Sequence, residues 1–490
     1  MLFLGIDIGT TAVKAAVFGL DGARLASWRS DYPTHRAAGG IVEQTPQHWL
    51  DAINAAVSAF ETTLDLRRVA AVGICSQVNT HVFVGADGRV LADAMVWQDT
   101  RAVAEAAELS ATVSAKEASA WWGSPVPVDA SHALARMSWM RRYRPSVWDS
   151  TRYVLSPKDF CVFRLTGVAM ADPIASVGLV NNSLQYIDAL IDRVPGAATR
   201  LPPLRPFELV AGNMLLGSKG ASAPVVNGTM DAWASLFGAG AYAPGKGLYM
   251  SGTSEILALV GQHRIGAPGV ITFPPVDSSV VTAGPTQSGG DSLRWWGQVT
   301  GREPASIFEA ASRANRSDEP VLFLPHMEGE RAPLWDSGLR GAFVGITSRT
   351  GEAELALAVL EGVALSAGLV LRALESAAGF LPESLLYGGG GARSDFWSQL
   401  RADCLGLRLE RLAVLDAGCL GAAILAAVGI GAFSGLAQAA ASMSRVERQF
   451  APDPKMRRRY EQMSSAYLEA VPAMKKITQR WSDRRWNETD

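Results

Sequence analysis

Two short stretches far apart in this chain follow the same plan. Residues 2–18, "LFLGIDIGTTAVKAAVF", read as an apolar strand, a Gly-Thr-Thr turn and a second strand. Residues 247–260, "GLYMSGTSEILALV", read as a strand, a Gly-Thr-Ser turn and a second strand. A strand apolar on both faces belongs inside a sheet covered on both sides. At 490 residues the chain is also too long for one ordinary core. The two hairpins therefore predict a duplicated architecture, in which each half is led by a hairpin with hydroxyls at its tip.

The segments between fill in mixed α/β domains. Residues 47–62 place Trp49, Ile53, Val57 and Phe60 at helical spacing. Residues 69–77 read as a buried strand, and Ala86-Asp87-Gly88 as the turn of a further hairpin. In the second half, 352–377 reads as a long apolar helix and 384–406 as strand, glycine loop and helix. Ala417 to Ser444 carries no charged residue. Its glycines and polar interruptions predict a buried helix–turn–helix rather than a membrane span. From Pro454 to Trp481 an amphipathic helix is expected, with Tyr460, Met463, Tyr467 and Val471 on one face. The boundaries that follow are 1–243, 244–450 and 451–490, the last a helix packing back on the first domain.

Charge and cysteine usage narrow the class. Lys+Arg number 45 against 47 Asp+Glu, a net charge of -2, which points to neither nucleic acid nor an anionic membrane as partner. The 4 cysteines, Cys75, Cys161, Cys404 and Cys419, form no CxxC. They read as buried thiols of a reducing cytoplasm. The 6 histidines show no metal-ligand spacing.

A Gly-Thr-Thr tip offers backbone N–H groups and two hydroxyls to phosphate oxygens without formal positive charge. Asp7, just before that tip, would repel a phosphate unless a cation lay between. It is therefore a candidate Mg²⁺ partner, acting through water. Thr10, Thr11 and Lys14 are the phosphate-facing candidates of the first turn, and Gly252, Thr253 and Ser254 those of the second. "GGGGARSDFW" (388–397) is a glycine loop opening a helix, with Ser394 as N-cap. Its backbone can approach a nucleotide closely. It lacks the GxGxxG spacing of a dinucleotide fold, and the chain has no P-loop. In "NGTMDAWASLFGAG" (227–240), Asp231 opens an apolar helix. It is either an acid at a helix N-terminus or a general base for a hydroxyl.

Taken together, these segments resemble the FGGY carbohydrate kinases of the actin/hexokinase-like ATPase superfamily. The resemblance runs through "AMVWQDTRA" (94–102), "LSPKDFCVFRLTG" (155–167) followed by Asp172, "FLPHMEGERAPLWDSGLRGAFVG" (323–345) and "LGAAILAA" (420–427). It implies two ribonuclease H-like domains with a nucleotide cleft between them, and closure that excludes water. It implies ATP and Mg²⁺ as cofactors, with Asp7 acting on the metal and Gly389, Gly390 and Gly391 lining the nucleotide. Asp231 would be the catalytic aspartate.

The acceptor is expected to be a small sugar or polyol. Residues 77–80, Gln-Val-Asn-Thr, match neither the Gln-Met-His-Gly of xylulose kinases nor the Gln-Arg-Glu-Thr of glycerol kinases. Val78, Asn79, Trp97, Asp231 and Gln287 are the acceptor candidates. Trp233 is a second ring for stacking, and Gln98, Asp99, Asp291 and His81 are further polar groups. Gly329 to Pro333 and Trp335-Asp336 look most like xylulose kinases, which favours a ketopentose such as xylulose or ribulose. A polyol kinase remains open, as does a non-catalytic nucleotide-dependent scaffold. A homodimer is compatible with the resemblance.

Overall fold

A computed structural model describes residues 1–122, 128–316 and 319–483. The chain folds as two compact α/β units. Met1–Tyr242 and Ala417–Arg445 make the first, and Ala243–Asp416 with the chain from Val446 onward make the second.

The first unit is built on one sheet. Its strands are β1 (Leu2–Ile8), β2 (Ala12–Gly19), β3 (Arg24–Asp31), β4 (Val69–Ser76), β5 (Val210–Leu216), β6 (Ala221–Val226) and the short β7 (Thr229–Met230). The order is β5-β6-β4-β1-β2-β3, with β7 also pairing to β4. β1, β2 and β3 form an antiparallel meander, while β4 runs parallel to β1 and β6 parallel to β4. The double-sided apolarity of β1 has its cause here. One face meets a core of Trp49, Ile53, Val57, Phe60 and Phe160, from the helices Gln47–Glu61 and Pro157–Thr166.

The helix Ala417–Gly429 covers the other face, and glycines allow it to lie directly on the strands. A Cβ at Gly5 would stand 1.8 Å from the carbonyl oxygen of Cys419, and one at Gly73 1.8 Å from that of Ala422. The same helix presses on the helix Asp231–Ala239, where a Cβ at Gly421 would stand 1.7 Å from the oxygen of Ala234. The predicted helix–turn–helix is present, as Ala417–Gly429 followed by Leu436–Met443, and the first of these is buried almost throughout.

The second unit repeats the plan. Its strands are β8 (Lys246–Ser251), β9 (Glu255–Gly261), β10 (Ile271–Thr272), β11 (Val280–Pro285), β12 (Ser384–Gly388), β13 (Arg408–Leu412) and β14 (Val446–Phe450). They are ordered β10-β11-β9-β8-β12-β13-β14. The hairpin strand β8 again has an antiparallel partner, β9, on one side and a parallel one, β12, on the other. The helix Glu352–Ala378 is long and apolar enough to cross a membrane, but most of it is buried in this unit's core.

Two expected boundaries change. The segment 417–445 belongs to the first unit, because its small residues fit the glycines of β1 and β4. The tail helix Pro454–Asp483, expected to pack on the first domain, packs within the second unit. Tyr460, Met463, Tyr467 and Val471 meet Leu322, Leu324 and Leu365, and Lys475 pairs with Asp336 at 2.8 Å.

Candidate functional site

In the first unit, register brings the predicted acids to one end of the sheet. Asp7 lies opposite Cys75, Thr229 also pairs with Cys75, and Met230 pairs with Ser76. Asp231 and the 77–80 loop therefore leave the sheet side by side. Gly228, at φ +76°, makes this possible: a Cβ there would stand 1.8 Å from the oxygen of Ile74. Asp231 is half-buried, and its Oδ1 accepts the N–H of Ala232 at 2.7 Å.

A buried ion network anchors the approach to Asp231. The Thr229 hydroxyl donates to Asp172 Oδ1 at 2.9 Å, and Asp172 Oδ2 pairs with Lys158 at 3.1 Å. Lys158 also binds Asp159 and reaches Asn227 Oδ1 at 3.4 Å, while its backbone N–H donates to Ser76 Oγ at 3.2 Å. Burial alone would discharge the lysine, yet Asp159 and Asp172 hold its pKa above the ordinary value. Breaking such a set leaves an uncompensated buried charge.

The first turn is a closed device. The N–H of Gly9 donates to the Ala12 oxygen at 3.0 Å, and the Tyr32 hydroxyl donates to the Gly9 oxygen. Gln44 Nε2 donates to the Thr10 oxygen at 2.7 Å, and Gln77 Nε2 to Gln44 Oε1 at 2.9 Å. Trp97 Nε1 donates to Thr10 Oγ1 at 3.0 Å, which leaves that hydroxyl's own proton for another acceptor. Thr11 is exposed. Lys14 faces Asp7 across the β1–β2 pair. Asp7 accepts the Cys75 thiol at 3.7 Å, and Gly418 backs it so closely that a Cβ would stand 3.0 Å from its Oδ2.

The acceptor candidates separate. Val78, Asn79 and Trp97 are half-buried in the first unit. Gln287 lies in the second unit, where its N–H is held by Glu330 Oε1. Two candidates fail on burial. Trp233 is 1 % exposed and packs among Phe237 and Tyr242, so its ring is not available for stacking on a sugar. Asp99 is also 1 % exposed. It accepts the Val42 N–H at 2.7 Å and a forked pair from Arg101, an internal brace for the loop that carries Trp97. His81 is kept neutral, since burial and then Arg136 and His132 push its pKa well below 6.5.

In the second unit the other turn and the glycine loop come together. The Gly252 N–H donates to the Ser254 oxygen at 2.9 Å, and Thr253 is exposed. Met250 lies opposite Gly388, so the loop starts beside the turn. Gly389, at φ +87°, passes so close that a Cβ would stand 2.2 Å from the Ser251 oxygen, whereas Gly390 faces open space. A Cβ at Gly391 would stand 2.1 Å from Ser251 Oγ. Ser394 caps the following helix by accepting the Trp397 N–H at 3.2 Å. Beneath the loop, fully buried Arg401 donates to Ser251 Oγ at 2.6 Å and to Glu255 Oε1 at 2.9 Å.

Sequence reasoning missed Gly289 and Gly290. The Gly290 N–H donates to the Gly252 oxygen at 2.9 Å and the Asp291 N–H to the Thr253 oxygen at 3.1 Å, so the head of the helix Gly290–Thr300 is bonded to the turn. The Gly-Gly pair opening an amphipathic segment was the available signal. It also missed Arg401 as a support, for which burial is the evidence and sequence carries little. Lys158 lies in the segment 155–167 that carries the family resemblance, but its pairing with Asp172 came only from the fold.

Comparison with known proteins decides the family. Residues 2–238 match the N-terminal domain of the FGGY family of carbohydrate kinases, and residues 247–430 match its C-terminal domain. A xylulose kinase of Escherichia coli (strain K12) is 30% identical over 446 residues, covering 87% of this chain and 90% of that protein. The chain belongs to the FGGY family of carbohydrate kinases. A glycerol kinase of Thermococcus gammatolerans is 29% identical, covering 92% of this FGGY kinase and 93% of its relative. Among solved structures, a xylulose kinase from Brucella ovis superposes with a TM-score of 0.87 at 26% identity, covering 97% of this chain and 100% of that one. The first turn falls within the N-terminal family match and the second within the C-terminal one.

Proposed function

We propose that this kinase transfers the γ-phosphoryl group of ATP to a primary hydroxyl of a ketopentose, with xylulose as the first candidate and ribulose as the second. The observation that carries the reading is the pairing of Met230 with Ser76. It sends Asp231 and the Gln77–Thr80 loop out of the sheet together, at the end of the strand that pairs with the one carrying Asp7. The similarity to xylulose kinases supports the choice of sugar.

Asp231 is assigned the general base that takes the hydroxyl proton as the phosphoryl group arrives. Thr10, Thr11 and Lys14 are assigned to phosphate oxygens, as are Gly252, Thr253 and Ser254. Gly389, Gly390 and Gly391 are assigned to the nucleotide, and open Gly390 leaves room for it. Asp7 fits a Mg²⁺ partner, because a half-buried carboxylate at a strand end is the hard oxygen donor that this ion takes alongside phosphates and water. Bound there, Mg²⁺ would neutralise charge on the phosphates. Val78, Asn79 and Trp97 are assigned to the acceptor, and Gln287 is retained as a weaker candidate from the second unit.

A polyol acceptor is the second reading, favoured by the similarity to a glycerol kinase at nearly the same identity. The test is ADP release with Mg·ATP against ketopentoses, aldoses, pentitols, tetritols and glycerol. One ketopentose is expected to stimulate strongly. A response confined to glycerol or another polyol selects the second reading, and steady ATPase that no acceptor changes would leave a scaffold.

A further inference from the structure

Asn79 sits at φ +54°, in the left-handed region that a side chain adopts only when the surroundings hold it there. The holder is Arg136, whose side chain is fully buried. Its Nη1 donates to the oxygens of Asn79 at 2.5 Å and Met95 at 2.6 Å, and its Nη2 donates to that of Val96 at 2.5 Å. Its Nε donates to the Ala130 oxygen at 3.2 Å. A buried arginine usually takes a carboxylate. This one instead ties three main-chain segments: the loop with Asn79, the run into Trp97 and the turn before Ser131. Burial pushes its pKa down to about 10, which leaves it charged at neutral pH.

The side chain of Asn79 is oriented as well. A carboxylate only accepts, so Ser131 Oγ, 2.6 Å from Asp129 Oδ1, must give its proton there. The lone pairs of Ser131 then face Asn79 Nδ2, which donates to them at 3.1 Å. With one amide N–H held by Ser131, the NH₂ is turned toward that hydroxyl and Oδ1 is turned away from it, as the group's one acceptor.

We propose that Arg136, Ser131 and Asp129 are positioning residues that present Asn79 Oδ1 as a fixed hydrogen-bond acceptor for a hydroxyl of the acceptor substrate. The inference rests on the reading that Asn79 touches that substrate. It makes the site selective for neutral polyhydroxy acceptors over sugar acids. A carboxylate at that position has no proton to give and faces an oxygen it cannot satisfy.

The experiment compares wild type with Asn79→Ala, Ser131→Ala, Arg136→Lys and Arg136→Met. It measures kcat and KM for D-xylulose, KM for ATP, competitive inhibition by D-gluconate and the thermal midpoint. Ser131→Ala frees the amide to turn its NH₂ outward. The xylulose KM is expected to rise about tenfold and gluconate inhibition to tighten by about as much, with ATP KM unchanged. Arg136→Lys should recover part of the xylulose KM lost in Arg136→Met. If Arg136→Met does not fold, Ser131→Ala decides alone. If Asn79→Ala raises the xylulose KM while Ser131→Ala alters neither constant, the relay is refuted and Asn79 keeps its place at the acceptor. If Asn79→Ala leaves the xylulose KM unchanged, both ideas fall.

Discussion

At the scale of single residues, similar side chains have different fates according to where their bonds go. Asp99 and Asp231 are both carboxylates in family-like motifs, but Asp99 is saturated by Arg101 and a backbone N–H while Asp231 stays half-buried at a helix head. Replacing Asp231 with Ala should lower sugar-dependent turnover by about 10² or more while ATP still binds, measured as ADP release beside nucleotide titration. Equal turnover in the mutant would remove Asp231 from the base role. His81 gives a pH prediction. Its folded pKa is depressed by burial, Arg136 and His132, and His132 is itself lowered mainly by burial. Below the ordinary value of 6.5 the unfolded chain takes up protons that the folded chain refuses. Stability is therefore intact above that pH and falls below it, until the folded pKa is reached. His81→Gln should flatten the fall in stability seen in urea titrations run across this window, and an unchanged slope would remove His81 as its source.

At the scale of elements, close approach between backbone and backbone sets the first unit. The helix Ala417–Gly429 touches β1 and β4 through Gly5 and Gly73, each with a carbonyl oxygen where a Cβ would go. Substituting Gly73 by Ala should cost about 1–3 kcal/mol or more by overpacking, read as a lower urea midpoint with an unchanged slope. An equal midpoint would mean that the helix can lift away freely. Most elements here were legible from pattern. The hairpins, the helix 47–61 and the long helix 352–378 all show periodicity within themselves, and the Ser394 cap is a local signal. The bond from the Val42 N–H to Asp99 was not legible, because the two stand far apart along the chain and become neighbours only through the fold.

At the scale of the molecule, the chain does not divide at one point. It leaves the first unit near residue 242 and returns to it for 417–445 before finishing in the second. A fragment of residues 1–242 should therefore be soluble only poorly and lack a cooperative melt, since the helix covering Gly5 and Gly73 is missing. The same fragment joined through a flexible linker to residues 417–445 should regain cooperative unfolding by circular dichroism. Cooperative folding of the shorter piece would refute this. The tail helix has a matching role in the second unit, where Tyr467 meets His326 at 3.1 Å and His326 meets Glu330 at 2.7 Å, the residue that holds the Gln287 N–H.

The sequence by itself determined the duplicated hairpins, the α/β class, the family motifs and the helix that begins at Asp231. Each is written in side-chain period or in residues adjacent along the chain. It also showed that the tail helix and the segment 417–444 had apolar faces to bury. Tertiary structure alone decided what buries them, which unit each joins, and which polar groups near the strand ends are already satisfied. An apolar face specifies that it must be covered but not by what, and a carboxylate's availability depends on partners brought together by the fold.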